Sequence, residues 1–216
     1  MDDTTQTTPS ETPPIQLVLW GVLCAVALSV VGFGFWATLA VEPPPELRVY
    51  GTVPDFTLID RNGEPFGRDD LLGQPWVADF IFTRCVAICP RMTRQMSRVA
   101  TALGPDTPVE LVSISVDPEY DTPEVLEAWA QQYDAGDNWH FLTGDTEPIY
   151  SLTREGFMLP LDANPPAGLV TTTDPIVHST RFALVDQRGQ IRGYYHAFEE
   201  EALEQLLKDI TRLLTE

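Results

Sequence analysis

Cys85 and Cys89, with three residues between them and Pro90 directly after, are the side chains in this sequence best suited to chemistry. The run before them, Trp76 to Phe82 (WVADFIF), is mostly apolar and predicts a central strand buried on both faces. After them Met92, Met96, Val99, Ala100 and Leu103 recur at helical spacing. The pair therefore falls where a strand ends and a helix begins, at the second cysteine. A thiol in that position has its thiolate stabilised by free backbone N–H groups and by the helix dipole. A helical turn between the cysteines would bring both sulfurs to one face. Two such thiolates can close a disulfide or clamp a soft ion such as Cu(I); a structural disulfide or two inert buried thiols is the plainer alternative. Pro90 suits a first helical turn, where its missing N–H costs nothing. Asp79 is a carboxylate inside the apolar run. It is either a strand-edge or arginine-paired side chain, or a desolvated acid of raised pKa near the cysteines.

The elements that must position these groups follow from apolar periodicity and turn residues. Val53 to Ile59 alternates like a strand, and Arg61-Asn62-Gly63 is a turn. Val109 to Val116 is a second β-branched run, after which Thr122-Pro123-Glu124 opens a helix with a capping hydroxyl and proline at its first position. Val125, Leu126, Trp129 and Tyr133 form the buried stripe of that helix. Phe141 to Thr143 reads as a short strand and Glu147 to Arg154 as a short helix. A proline-rich loop from Pro160 to Pro175 precedes a hairpin, Arg181 to Asp186 and Gln190 to Tyr195, turning around Gly189. The last helix carries Leu203, Leu206, Leu207, Ile210, Leu213 and Leu214 on one face. Strands alternating with helices, then a hairpin and a helix, predict an α/β sandwich with a mixed central sheet.

The N-terminal part divides differently. Residues 1–16 are rich in Thr, Pro and acids and read as a disordered tail. Residues 17–41 are uncharged and long enough for a transmembrane helix, with Trp20 and Trp36 near its ends. With no Lys or Arg before it, an uncleaved anchor fits better than a signal peptide. Residues 42–49 form a Pro-rich linker, and 50–216 the folded domain. The chain carries 13 basic against 32 acidic residues, a formal charge of -19, which leaves no basic face for nucleic acid. Three cysteines are too few for a disulfide scaffold, and Cys24, inside the apolar segment, is given no role.

Several separated motifs together resemble the Sco/SenC family, the copper chaperones that serve cytochrome c oxidase. Phe80-Ile81-Phe82-Thr83-Arg84-Cys85-Val86-Ala87-Ile88-Cys89-Pro90 resembles the family's cysteine loop. Ser113-Ile114-Ser115-Val116-Asp117-Pro118 with Asp121-Thr122-Pro123 is similar to its next strand and helix start. Trp139 to Gly144 is similar to a further element, and Val177-His178-Ser179 before Leu184-Val185-Asp186 to the region carrying its histidine ligand. The resemblance covers most of residues 50–216. It departs at Val86-Ala87, where many members have Pro-Asp, and at Val177, where an acid is common.

The resemblance implies a thioredoxin-like fold in which Cys85, Cys89 and His178 bind one copper ion, as Cu(I), Cu(II) or both. It implies a single-pass anchor in the bacterial inner membrane, with the C-terminal domain on the periplasmic or extracytoplasmic side. The implied partner is the oxidase subunit housing the binuclear copper site, with other copper carriers or thiol reductants as further partners. His178 would come immediately before the final hairpin, where that loop approaches the cysteine-bearing helix start. His140 and His196 have no such setting and are read as non-ligands. Met92 and Met96 are read as core, and Asp79 stays between a structural carboxylate and a residue that tunes the site without binding copper. The competing reading is a thiol–disulfide oxidoreductase on the same fold, with Cys85 and Cys89 as a redox-active disulfide. Thioredoxin-type motifs have two intervening residues, which counts against it.

Overall fold

The computed structural model describes residues 14–39, 46–159 and 179–215. Two compact units are present, 1–46 and 47–216. The first holds helix α1 (Pro14–Leu39), 26 residues and about 39 Å long at 1.5 Å per residue. Within it Ile15–Trp36 is apolar and long enough to cross a membrane, and none of that window is buried. Of the expected tail, residues 1–13 lie outside the described residues and 14–16 open α1; of the expected linker, 42–45 lie outside them and 46–49 have no regular structure.

The second unit is built on a sheet that, among the described residues, has eight strands. In chain order these are β1 (Gly51–Thr52), β2 (Thr57–Asp60), β3 (Pro65–Gly67), β4 (Trp76–Ile81), β5 (Glu110–Ser115), β6 (Trp139–Thr143), β7 (Arg181–Val185) and β8 (Gln190–His196). Their order across the sheet is β1-β8-β7-β4-β5-β6-β2-β3. Only β4–β5 and β5–β6 are parallel, because only these pairs are joined by helical crossovers, α3 (Ile88–Leu103) and α4 (Pro123–Gln132). The remaining described pairings are antiparallel, so the sheet is mixed.

All six residues of β4 are buried, as expected of a strand covered on both faces. Trp76 and Phe80 meet the ring of Phe157 edge-on, at centroid distances of 5.8 and 5.1 Å. Phe157 follows a short helix α5 (Thr146–Ser151) and a wider helical turn, Leu152–Gly156. Strand alternation sends Val77, Asp79 and Ile81 to the opposite face. There α3 buries Cys89, Met92, Thr93, Met96 and Val99, and it packs beside α6 (Glu200–Leu213). Helix α6 buries Leu203, Leu206, Ile210 and Leu213, whereas Leu207 is half-buried and Leu214 more exposed than a core residue.

Several details differ from the periodicity. Strand character in the first apolar run is confined to Thr57–Asp60, because Pro54 has no N–H to donate to a ladder. The flanking β3, the four-residue helix α2 (Arg68–Leu71) and β1 are too short to leave a pattern. Thr122 does precede Pro123 at the start of α4, but its hydroxyl donates to Glu124 at 2.7 Å and makes no cap. The buried stripe of α4 is Leu126 and Ala130, continued by Tyr133, with Val125 and Trp129 only partly covered.

Candidate functional site

Beyond β4 the chain makes a tight turn in which Cys85 N–H donates to the carbonyl of Phe82 at 3.2 Å. Helix α3 then starts at Ile88, one residue before the second cysteine, with Ala87 in the capping position. Alanine has no side-chain oxygen to accept the first free N–H groups. The sulfur of Cys85 does so instead: Cys89 N–H donates to Cys85 Sγ at 3.3 Å. Pro90 removes one further donor from the same turn. Both thiols are free and nearly inaccessible, at 4% and 3% exposure, while Val86 between them is 87% exposed. The loop thus lifts an apolar knob into solvent and folds its two sulfurs beneath it.

The two thiols differ sharply in acidity. The Cys89 thiol donating to Cys85 is the main influence, aided by the N–H groups of Cys89, Ala87 and Ile88; together they outweigh burial and hold Cys85 down to about 5. That same hydrogen bond, with burial and the charges of Cys85 and Asp79, pushes Cys89 far up. One negative charge therefore resides mainly on Cys85, with one proton on Cys89, at neutral pH.

Asp79 is fully buried, on the sheet face that α3 covers. Ser113, directly opposite on β5, donates its hydroxyl to Asp79 Oδ1 at 2.6 Å, and Trp139 Nε1–H donates to Ser113 Oγ at 3.0 Å. The other oxygen, Oδ2, has no hydrogen-bond partner among the described residues. Burial outweighs the Ser113 bond and raises Asp79 to about 7. Asp79 is thus not the strand-edge or arginine-paired acid of the plainer reading.

A second buried carboxylate, Asp121, lies just before α4. It accepts the backbone N–H of Thr83 at 3.0 Å, the Thr83 hydroxyl, and the Ser115 hydroxyl at 2.5 Å. Burial outweighs these bonds and holds its carboxyl above the ordinary range. Arg84 pairs with Asp117 at 2.6 Å and lies over the Tyr120 ring at 4.6 Å. Sequence reasoning did not single out Asp121, Thr83, Ser115 or Tyr120 as site residues. The available signals were the polar Ser115…Asp117…Asp121 spacing after a buried strand and the place of these residues and Thr83 in the family-like motifs.

The structure brings Cys85 and Cys89 together and places Asp79 on the same side of the sheet. His178 lies outside the described residues, as does Val177. Among the described residues no cluster of three or more His, Cys, Asp or Glu side chains is arranged to hold a metal ion. His140 Nε2 lies 2.9 Å from Glu110 and its ring stacks on Phe66; His196 Nε2 lies 3.1 Å from Thr180 Oγ1. Met92 and Met96 are buried in the core.

A mixed sheet whose central strand runs into a two-cysteine turn and then a helix is a thioredoxin-like domain carrying a dithiol site. The family model described as SCO1/SenC matches residues 46–215, and the chain belongs to that family. It is 33% identical over 161 residues to the SCO1 protein homolog of Bacillus subtilis, covering 73% of this chain and 80% of that protein. Among solved structures, it resembles BsSco, described as a member of the Sco family of cytochrome c oxidase assembly proteins with a disulfide switch. The identity is 30% and the TM-score 0.68, covering 81% of this chain and 99% of that one. It also resembles copper-bound ScoI of Bradyrhizobium japonicum, at 25% identity and TM-score 0.61, covering 75% and 99% respectively.

The raised Asp79 pKa has a definite consequence for stability. A carboxyl raised on folding contributes stability that is complete below the ordinary Asp range and is lost as pH climbs through about 7. Replacing Asp79 by Asn removes that loss, so the variant gains on the wild type between pH 5 and pH 8, by at most about 3 kcal/mol. Urea unfolding across that range measures it. Parallel pH profiles for the two proteins would contradict the assignment.

Proposed function

We propose that this protein is a membrane-anchored copper chaperone that binds one copper ion through Cys85, Cys89 and His178. We propose further that it delivers the ion to the binuclear copper site of cytochrome c oxidase. The observation that carries the reading is the pre-formed thiolate: Cys85 Sγ lies under helix-start N–H groups with Cys89 beside it. Two soft sulfur donors on one turn suit Cu(I), and an imidazole supplies the third donor and the nitrogen that Cu(II) favours. Binding displaces the proton on Cys89, so the metal replaces the proton the two sulfurs otherwise share. Copper-bound ScoI and the oxidase-assembly role of BsSco support the same reading. Asp79 acts behind the pair, altering the charge that Cys89 experiences without binding the ion.

The domain boundaries fit this role as residues 1–16 tail, 17–41 anchor, 42–49 spacer and 50–216 copper-binding domain. Helix α1 would hold the protein in the bacterial inner membrane as a single pass, with the domain on the periplasmic or extracytoplasmic side.

The asymmetry of the thiols favours a second reading specifically. A low-pKa Cys85 beside a protonated Cys89 is also the arrangement of an attacking and a resolving thiol, so a thiol–disulfide oxidoreductase is the alternative. Its substrates would be the oxidase subunit or other extracytoplasmic proteins. The two readings differ in their demand for copper and for His178.

Two experiments test the proposal. In competition with a Cu(I) chelator, replacing Cys85 or Cys89 by Ser should weaken binding by more than the roughly 10–100-fold typical of losing an outer partner. Cys24→Ser should leave it intact. His178→Ala should weaken Cu(II) binding more than Cu(I). Catalytic disulfide reduction with no copper affinity above that of a small dithiol would overturn the assignment in favour of the oxidoreductase. For orientation, a reporter enzyme active only outside the cytoplasm, fused after Glu216, should be active in the membrane fraction. A silent reporter with an active cytoplasmic counterpart would reverse the topology.

A further inference from the structure

Two consecutive residues ahead of Cys85 are gripped by one distant loop, Ser115–Asp121. Thr83 is held through its backbone N–H and its hydroxyl, both donating to Asp121. Arg84 is held through its guanidinium, which pairs with Asp117 and lies over the Tyr120 ring. The loop is itself braced. Asp121 N–H donates to Asp117 O at 2.9 Å, Asp117 N–H to Ser115 Oγ at 3.1 Å, and Ser115 Oγ–H to Asp121.

These two grips are unequal. Arg84 is nearly half exposed, so its ion pair is screened by water and adds little. Asp121 is fully buried and takes three hydrogen bonds on its two oxygens. Bonds to a carboxylate are roughly twice as strong as neutral ones. Every described partner of the Asp121 carboxylate is a donor, which is what an acceptor-only group requires. Thr83 has no comparable alternative: its N–H emerges just past the end of β4, where the ladder to β5 finishes with Val116 N–H donating to Ile81 O.

We propose that Asp121 is a positioning residue for the cysteine pair. By fixing Thr83 it fixes the turn from Phe82 to Cys85, and so places Cys85 Sγ under the Cys89 N–H in the first turn of α3. This inference deepens the proposed function and rests on the cysteine pair being its working site. It touches neither sulfur and binds no copper. Its effect is on how firmly Cys85 Sγ is held against the Cys89 N–H beside the second sulfur, and so on the balance between dithiol and disulfide.

The test equilibrates the metal-free full-length protein, in detergent, with glutathione redox buffers. Cys85 and Cys89 join by an S–S bond, giving two electrons and the Cys89 proton, with a second proton from water, to one glutathione disulfide, which leaves as two glutathione thiols. Trapping the free thiols and weighing the products gives the equilibrium constant. Asp121→Asn loosens the turn, weakens the hydrogen bond that Cys85 Sγ accepts in the reduced pair, and should shift the constant by about tenfold toward the disulfide. Thr83→Val keeps the N–H but loses the hydroxyl and should shift it the same way by a smaller factor, while Thr83→Ser should restore it. Should Asp121→Asn fail to fold, the Thr83 pair decides alone. Asp209→Asn removes another buried carboxylate, the one that accepts from Tyr195 at 2.8 Å. It should lower the Tm without moving the constant. A constant for Asp121→Asn within about twofold of wild type, or an equal shift in Asp209→Asn, would overturn the proposal. Because copper is absent, failure of the wild type to bind Cu(I) in a separate titration would count against the chaperone reading alone.

Discussion

The hydrogen bond from Cys89 N–H to Cys85 Sγ is the contact around which the site is organised. An α-helix begins with unpaired N–H groups that need an acceptor, and here the capping residue, Ala87, has none to offer. The preceding turn brings a sulfur into that position. A sulfur is a weak acceptor when protonated and a good one as a thiolate, so helix and thiolate stabilise each other. Local helix formation and the readiness of Cys85 to bind metal or attack a disulfide are thus the same physical fact. Cys89, one turn on and facing the core, is left holding the proton.

Such a turn needs rigid support, and the sheet supplies it with an unusual amount of buried polarity. Burying a carboxylate is costly unless donors surround it. Asp121 has three donors, from Thr83 and Ser115, and ties the turn to the next strand. Asp79 has one, from Ser113, and an oxygen with no described partner. The two carboxylates therefore differ in kind. The first contributes hydrogen bonds that hold backbone in place, while the second is a poorly compensated acid whose main effect is electrostatic. An apolar residue in place of Asp79 would cost less to bury, whereas one in place of Asp121 would leave the Thr83 N–H and the hydroxyls of Thr83 and Ser115 without their acceptor.

Much of this arrangement was legible in the residues themselves. Long signals survived: the apolar run of β4, the Met92–Met96–Val99 stripe of α3, the hairpin around Gly189 and Leu203, Leu206, Ile210 and Leu213 of α6 all read correctly because burial imposes a period. Strands of two or three residues, such as β1 and β3, impose none and were missed. The cysteines were readable as a strand-to-helix pair, since sulfur chemistry and position coincide in one short segment. What could not be read was which atom caps α3, because that depends on Ala87 offering nothing. Asp121 stood in a readable motif, but its pairing with Thr83 did not show, because the two lie 38 residues apart across a parallel crossover. Pairings of that separation follow from strand order and leave no local pattern.

The central claim is that one negative charge is held on Cys85 by the start of α3 and by the proton on Cys89. Its most direct measurement is the pH dependence of alkylation at each cysteine, followed by mass spectrometry in a Cys24→Ser background of the metal-free reduced protein. The account predicts that Cys85 reacts with a midpoint near 5, and that Cys89 stays unreactive throughout the neutral range. A midpoint near the roughly 8.5 of an ordinary cysteine, or prior reaction at Cys89, would contradict it.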